Sequence, residues 1–166
     1  MRYLILILMI VCTNSLNAQS VDSLAIRQVD SLIKVSRELT AKQNFDKALE
    51  VNAAAEQIAL EKIGRESAAY GSCAFNRGRV NHFKGNIPEA EKWYLESKAI
   101  REKVLDAVHP DYGWSLNNLA VLYMDLGNYE KAEVYYLESK EIREKTLGSE
   151  HPDYTNNLNN LANLYS

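Results

Sequence analysis

The sequence predicts an all-α solenoid of stacked antiparallel helix pairs. Three observations carry that prediction. The 166-residue chain repeats itself at a fixed spacing of 42 residues. Each period holds two stretches with apolar residues at helical intervals, divided by a short break such as Gly85-Asn86 or Gly127-Asn128. The composition is helix-favouring, with only Gly 7 and Pro 3 in a chain rich in Ala, Leu, Glu and Lys. A unit of this length cannot bury both faces of a helix pair alone, so the units must stack on their neighbours.

The repeat is explicit. His109-Pro110-Asp111-Tyr112 returns as His151-Pro152-Asp153-Tyr154, and Tyr94-Leu95-Glu96-Ser97-Lys98 returns as Tyr136-Leu137-Glu138-Ser139-Lys140. Ile100-Arg101-Glu102-Lys103 returns as Ile142-Arg143-Glu144-Lys145, and Leu116-Asn117-Asn118-Leu119-Ala120 as Leu158-Asn159-Asn160-Leu161-Ala162. These fix repeats at about 29–69, 70–111 and 112–153, with a truncated fourth at 154–166.

Ahead of them, Arg2 and the apolar run Tyr3 to Cys12 read as a secretory signal peptide over 1–18. The run is too short for a bilayer span, which takes about 20 residues. Cleavage falls after Ala18 or, alternatively, after Ser15. An uncleaved anchor or a buried first helix is the plainer reading of the same stretch. A lead-in at 19–28 follows, and export to the periplasm or the extracellular space is the expectation. A processed chain keeps Cys73 alone, so no intramolecular disulfide is expected and Cys73 reads as a small buried residue.

Taken in order, Leu24, Val29, Leu32, Ile33, Val35 and Leu39 mark a first helix over 20–42. Gln43-Asn44 breaks it, and Phe45 opens a second that runs to about Ile63, with Gly64 as its end signal. Repeat two is read as helices over roughly 66–84 and 87–105, with Pro88 in a first turn, where its missing N–H costs nothing. Repeat three is read as helices over roughly 111–126 and 129–147. Ala90 and Ala132 are small enough for close helix approach, Leu116, Leu119, Leu122 and Tyr123 form one apolar stripe, and Tyr129, Tyr136 and Leu137 are expected to add large apolar area. Arg77 and Asn81 break the register, standing where repeat three has Leu119 and Tyr123; either that helix is shifted or Arg77 pairs with a carboxylate. Asn52 stands where later repeats have Tyr94 and Tyr136.

Leu116, Leu119, Ala120, Tyr123, Gly127, Tyr129, Ala132 and Tyr136 resemble the tetratricopeptide repeat pattern, and the 42-residue period with its HPDY, SLNNLAVLY and IREK segments resembles the kinesin light chain type of that repeat. The resemblance covers about 29–166. It implies a right-handed superhelix in which the first helix of each pair lines a concave groove that binds peptides or partner proteins. By position, the groove would be faced by Ile33, Lys34 and Arg37, then Phe75, Asn76, Arg79 and His82, then Asn117, Asn118, Val121 and Asp125, then Asn159, Asn160 and Asn163.

Within that set, Arg37, Asn76, Arg79, Asn117, Asn118, Asn159 and Asn160 are the candidate binding residues. An amide both donates and accepts, so a ladder of Asn could hold an extended peptide by its main chain. Alternatively, one Asn of each pair bonds to the neighbouring repeat and is structural. Arg37 and Arg79, with Lys34, suit a carboxylate or an acidic side chain; solvated charge on an open helix face is the other reading.

Other functions find little support. Lys plus Arg total 19 against 22 for Asp plus Glu, which argues against a nucleic-acid surface. His109 and His151 precede Pro at helix starts, where the backbone explains them, and successive repeats hold them too far apart to share a metal. No Ser-His-Asp signature, phosphate-binding glycine loop or Cys-His cluster is present, so no cofactor and no catalysis are expected. The Glu-rich second helices read as exposed pairing with Lys98, Lys103, Lys140 and Lys145. The sequence thus reads as an exported protein- or peptide-binding scaffold with no membrane span in the mature chain. Alternatively, it is the sensing or assembly arm of a larger exported signalling or protease effector. Leu158, Leu161 and Leu164 are expected to be uncovered, which makes self-association through the last repeat a further expectation.

Overall fold

In the computed structural model the chain is helical throughout: α1 (Arg2–Ala41), α2 (Phe45–Lys62), α3 (Ala68–Lys84), α4 (Ile87–Val104), α5 (Pro110–Asp125), α6 (Tyr129–Leu147) and α7 (Pro152–Leu164). The structure describes the backbone of residues 2–106 and 108–166 and the side chains of 22–106 and 108–166. The leader read at 1–18 lies outside the described side chains. Among the described residues no helix is long and apolar enough to cross a membrane.

The helices pair as α1 with α2, α3 with α4 and α5 with α6, and each unit packs on the next. The first helices of successive pairs meet in the order α1, α3, α5, α7, and among the described residues α1 touches neither α5 nor α7. This is the one-dimensional packing expected of a solenoid.

Each pair turns through the same local device. Gly85 and Gly127 take φ of 82° and 69°, and the next residue's N–H closes back onto the helix, Asn86 to the Asn81 carbonyl and Asn128 to the Tyr123 carbonyl, each at 2.9 Å. In the first repeat Gln43 occupies that place with φ 59°, and Asn44 donates to the Leu39 carbonyl at 2.9 Å. The turn therefore survives the loss of its glycine, with a side chain forced into the left-handed region.

Inside each pair a small residue meets a large one. Ala90 and Ala132 are fully buried, as are Leu116, Leu119 and Leu122. Burial of each such leucine contributes about 1.5–3 kcal/mol. Tyr136 lies in the same cluster, but Tyr129 and Leu137 are exposed, so the second helix supplies less apolar cover than the sequence suggests. Gly78 lies against Tyr94 so closely that an added Cβ would meet the ring at 2.6 Å.

Three hydrogen bonds recur with the repeat and join its parts. Ser97 and Ser139 donate from Oγ to the carbonyls of Gly71 and Gly113, each at 2.9 Å. Arg101 and Arg143 donate from Nη1 to the carbonyls of Asp111 and Asp153, each at 2.8 Å. Tyr123 donates to Glu91 at 2.6 Å, and Tyr165 makes the equivalent bond to Glu133. Each of the last two crosses from the second helix of one repeat to the first helix of the next. His109 and His151 cap their helices, Nδ1 accepting from the N–H of Asp111 and Asp153 at 3.1 Å.

The first repeat replaces tyrosine packing with a buried polar chain. Asn76 donates to Ser36 Oγ at 2.8 Å and to Asn52 Oδ1 at 2.9 Å, and Asn52 donates to Glu56 at 2.7 Å. Arg77 donates to the other oxygen of Glu56 at 2.8 Å and lies over Trp93 at 4.2 Å. Arg77 is thus paired with a carboxylate, and the helix keeps its register. Burial raises the Glu56 pKa, and Arg77 opposes that shift.

Candidate functional site

The first helices form one side of the stack, and a cavity of about 450 Å³ opens there across the first three repeats. Arg37 on α1, Phe75, Arg79 and Phe83 on α3, and Trp114, Asn117 and Asn118 on α5 line it, with Arg101 and Asp111 behind. A second cavity of about 480 Å³ adjoins it and shares Arg37, Arg79 and Phe83, with Phe45 and the α1–α2 turn on its far side.

The arginines differ in how they are held. Arg101 is buried, its guanidinium 4.7 Å from the Phe75 ring, bonded to the Asp111 carbonyl and to Ser115 Oγ at 2.9 Å, and 3.9 Å from the Asp111 carboxylate. Burial lowers its pKa to about 10, and Asp111 counters part of that effect. Arg37 and Arg79 make no hydrogen bond or ion pair within the described residues; Arg79 has only the Phe83 ring, at 5.8 Å. The Arg37 side chain reaches solvent between the cavity walls. Partial desolvation first, and the Arg79 cation second, hold it below the ordinary arginine value. Two cations that repel each other therefore face one concavity; Asp111 and Asp30 offset part of that repulsion at Arg37 from a distance, and among the described residues neither arginine forms an ion pair.

The amides separate into two kinds. Asn76 does not face the groove: it is 1% exposed and bonded to Ser36 and Asn52. Ile33 is likewise a core residue. Both occupy the side of their helices that packs against the neighbouring helix, and position in the repeat alone misplaced them. Asn117 is largely buried, and its Oδ1 accepts from Arg143 of its own helix pair at 3.3 Å and from Asn157 of the next unit at 3.4 Å. Asn118 is half-buried on the cavity wall, donating to the Trp114 carbonyl of its own helix at 3.0 Å. Asn160 is half-buried and Asn159 exposed on α7, beyond the residues that line either cavity. The continuous amide row is thus interrupted at Asn76, while Asn117 lines the cavity with its Oδ1 already engaged.

Other positions took unexpected roles. His82 and Asp125 join repeats two and three, Nε2 to Oδ2 at 2.8 Å, and Lys34 is exposed. Phe83 and Trp114 line the site without having been foreseen. Trp114 lies one helical turn before Asn117 and Asn118, a spacing that could have flagged it. Phe83 has no counterpart signal, because repeat three carries Asp125 there. The recurrence of Arg101 as Arg143 marked a shared role, and that role is clamping. Among the described residues, no three His, Cys, Asp or Glu side chains converge to hold a metal.

Stacked helix pairs with a side-chain-lined groove define a helical-repeat scaffold. Tetratricopeptide repeat models match residues 72–123 and 113–153. The chain is similar to the crystal structure of a putative kinesin light chain from Podosopora anserina with nearly identical TPR-like repeats, at 24% identity and TM-score 0.76, and to a variant of it at 25% and 0.75. In both cases the match covers 85% of this chain and 66% of the other. BtubC (BKLC) from P. vanneervenii shares the fold, at 20% identity and TM-score 0.73 over 89% of this chain and 65% of that one. The chain therefore spans just under two thirds of the length of these structures. No curated protein matches the chain. The chain carries tetratricopeptide repeats over residues 72–153 and shares the fold of these kinesin light chain-like structures.

Proposed function

We propose that the protein is a binding scaffold whose groove captures an acidic segment of a partner protein or peptide, with no catalysis of its own. The observation that carries this is the pair Arg37 and Arg79, which face one cavity and form no hydrogen bond or ion pair among the described residues. Elsewhere the described arginines are engaged: Arg27 with Ser23, Arg65 with Glu96, Arg77 with Glu56, and Arg101 and Arg143 in their clamps. Aromatic walls at Phe75, Phe83 and Trp114 reduce the local dielectric, which strengthens a pairing that would be weak in open water. Asn118 adds a donor and acceptor for the ligand main chain. The leader supports placing this scaffold outside the cytoplasm, to be checked by the N-terminal mass of the exported chain.

The test uses fluorescently labelled degenerate peptide pools, one acidic and one basic. The acidic pool should bind, weaken with added salt, and lose binding in the Arg37→Ala, Arg79→Ala double variant. Equal binding of both pools, or binding that ignores the double variant, would remove this reading.

A second reading is self-association at the last repeat. Leu158 is 39% exposed and Tyr165 64%, where their counterparts Leu116 and Tyr123 are buried. Leu161 is covered within the core and takes no part in this face. Light scattering over a concentration series tests it: a mass that does not rise with concentration would rule it out, and a rise abolished by Leu158→Glu would support it.

A further inference from the structure

We propose that the group held between Arg37 and Arg79 is a phosphate monoester on a side chain of the bound segment, a dianion and not a single carboxylate. This rests on the acidic-segment reading above and narrows it. The argument is a count of charge at the cavity. Arg101 and the Asp111 carboxylate lie 3.9 Å apart and offset each other. Asp30 and Lys34, four residues apart on α1 beside Arg37, carry opposite signs. Arg37 and Arg79 remain, two full positive charges facing one space.

One carboxylate neutralises one of them and leaves the other unmatched. A phosphate monoester carries about −1.5 to −2 at neutral pH and three acceptor oxygens. It can accept from both guanidinium forks at once, the geometry in which arginine outperforms lysine. Within the described residues Asp111 and Asp30 attract Arg37 only from a distance, and no side chain bonds to either set of donors. The two adjoining cavities, about 450 and 480 Å³, share Arg37 and Arg79 at their junction. The phosphate would sit at that junction, with the chain that carries it running into both. A free phosphate ion would leave most of that space empty.

The experiment uses the whole chain and four probes: degenerate peptide pools with a central phosphoserine, serine or glutamate, and inorganic phosphate as competitor. The phosphoserine pool should bind at least about tenfold more tightly than the glutamate pool, the equivalent of one further charge-assisted hydrogen bond. Its affinity should rise as pH increases through about 6, where the second phosphate proton leaves. The glutamate pool, ionised well below that range, should not follow. Arg37→Lys or Arg79→Lys should erase the preference while keeping the charge and, since neither arginine bonds to the rest of the protein, the fold.

Glutamate binding as tight as phosphoserine, or no rise in phosphoserine affinity through that pH range, would overturn the phosphate assignment and leave the acidic-groove reading standing. Inorganic phosphate that binds as tightly as the phosphoserine pool would overturn the peptide source. A short single-stranded oligonucleotide that displaced the pool more effectively than phosphopeptide would overturn it in favour of a phosphodiester. Failure of every pool to bind would remove both readings.

Discussion

The guanidinium of Arg101 donates from Nη1 to the main-chain carbonyl of Asp111 at 2.8 Å, and so ties the end of α4 to the start of α5. The same bond recurs between Arg143 and Asp153. The IREK and HPDY segments recur together because they are two halves of one joint. Arg101→Ala removes the donor and the cation over Phe75, and should lower stability by about 2–4 kcal/mol, read as a shift in the urea midpoint. Arg101→Lys should rescue little, because a point charge cannot span the Asp111 carbonyl, Ser115 and Ser72 together. A midpoint unchanged by either substitution would show that the joint is not structural.

The groove arginines should behave in the opposite way. Arg37 and Arg79 form no hydrogen bond or ion pair among the described residues and repel each other. Arg37→Ala or Arg79→Ala should leave the melting temperature unchanged or slightly raised, within about 0.5 kcal/mol. A marked loss of stability would mean that they hold the fold and not a ligand.

Glu56 predicts a pH signature. Its carboxyl is raised from 4.5 by burial in the folded state. A raised acid favours the folded state when protonated, so its contribution is full below the unfolded value and is lost as pH rises through the folded value. Wild type should therefore lose stability over that window relative to Glu56→Gln. Parallel pH profiles for the two proteins would contradict the assignment.

The α1–α2 turn offers a gain. Gln43 sits in the left-handed region at φ 59° where Gly85 and Gly127 stand in later repeats. Gln43→Gly should stabilise by up to about 1 kcal/mol, measured by thermal melting. A loss instead would show that the side chain makes a contact worth more than the strain.

Gly78 predicts a cost. A Cβ there meets the Tyr94 ring at 2.6 Å, so Gly78→Ala should destabilise by about 1–3 kcal/mol despite the helix propensity gained. Repeat three tolerates Ala120 beside Tyr136, so Gly78→Ala tests whether each repeat has its own fit.

The sequence by itself determined the repeat, the helices and the turns. These depend on local chemistry, on apolar spacing, glycine and Asn at the turn and Pro after His, and a 42-residue period displays each signal more than once. It also raised the pairing of Arg77 with a carboxylate, because a buried cation leaves few alternatives. Only the tertiary structure decided which polar residues face the groove. Asn76 shares its residue type and its place in the repeat with Asn118 and differs by where its helix meets the next one, a relation between units that no single repeat encodes. The same holds for the arginines: Arg101 and Arg143 recur in the repeat and Arg79 does not, but the recurrence alone does not say which of them is clamped. Stacking gives two of them a carbonyl to clamp and leaves Arg79, with Arg37, facing open space.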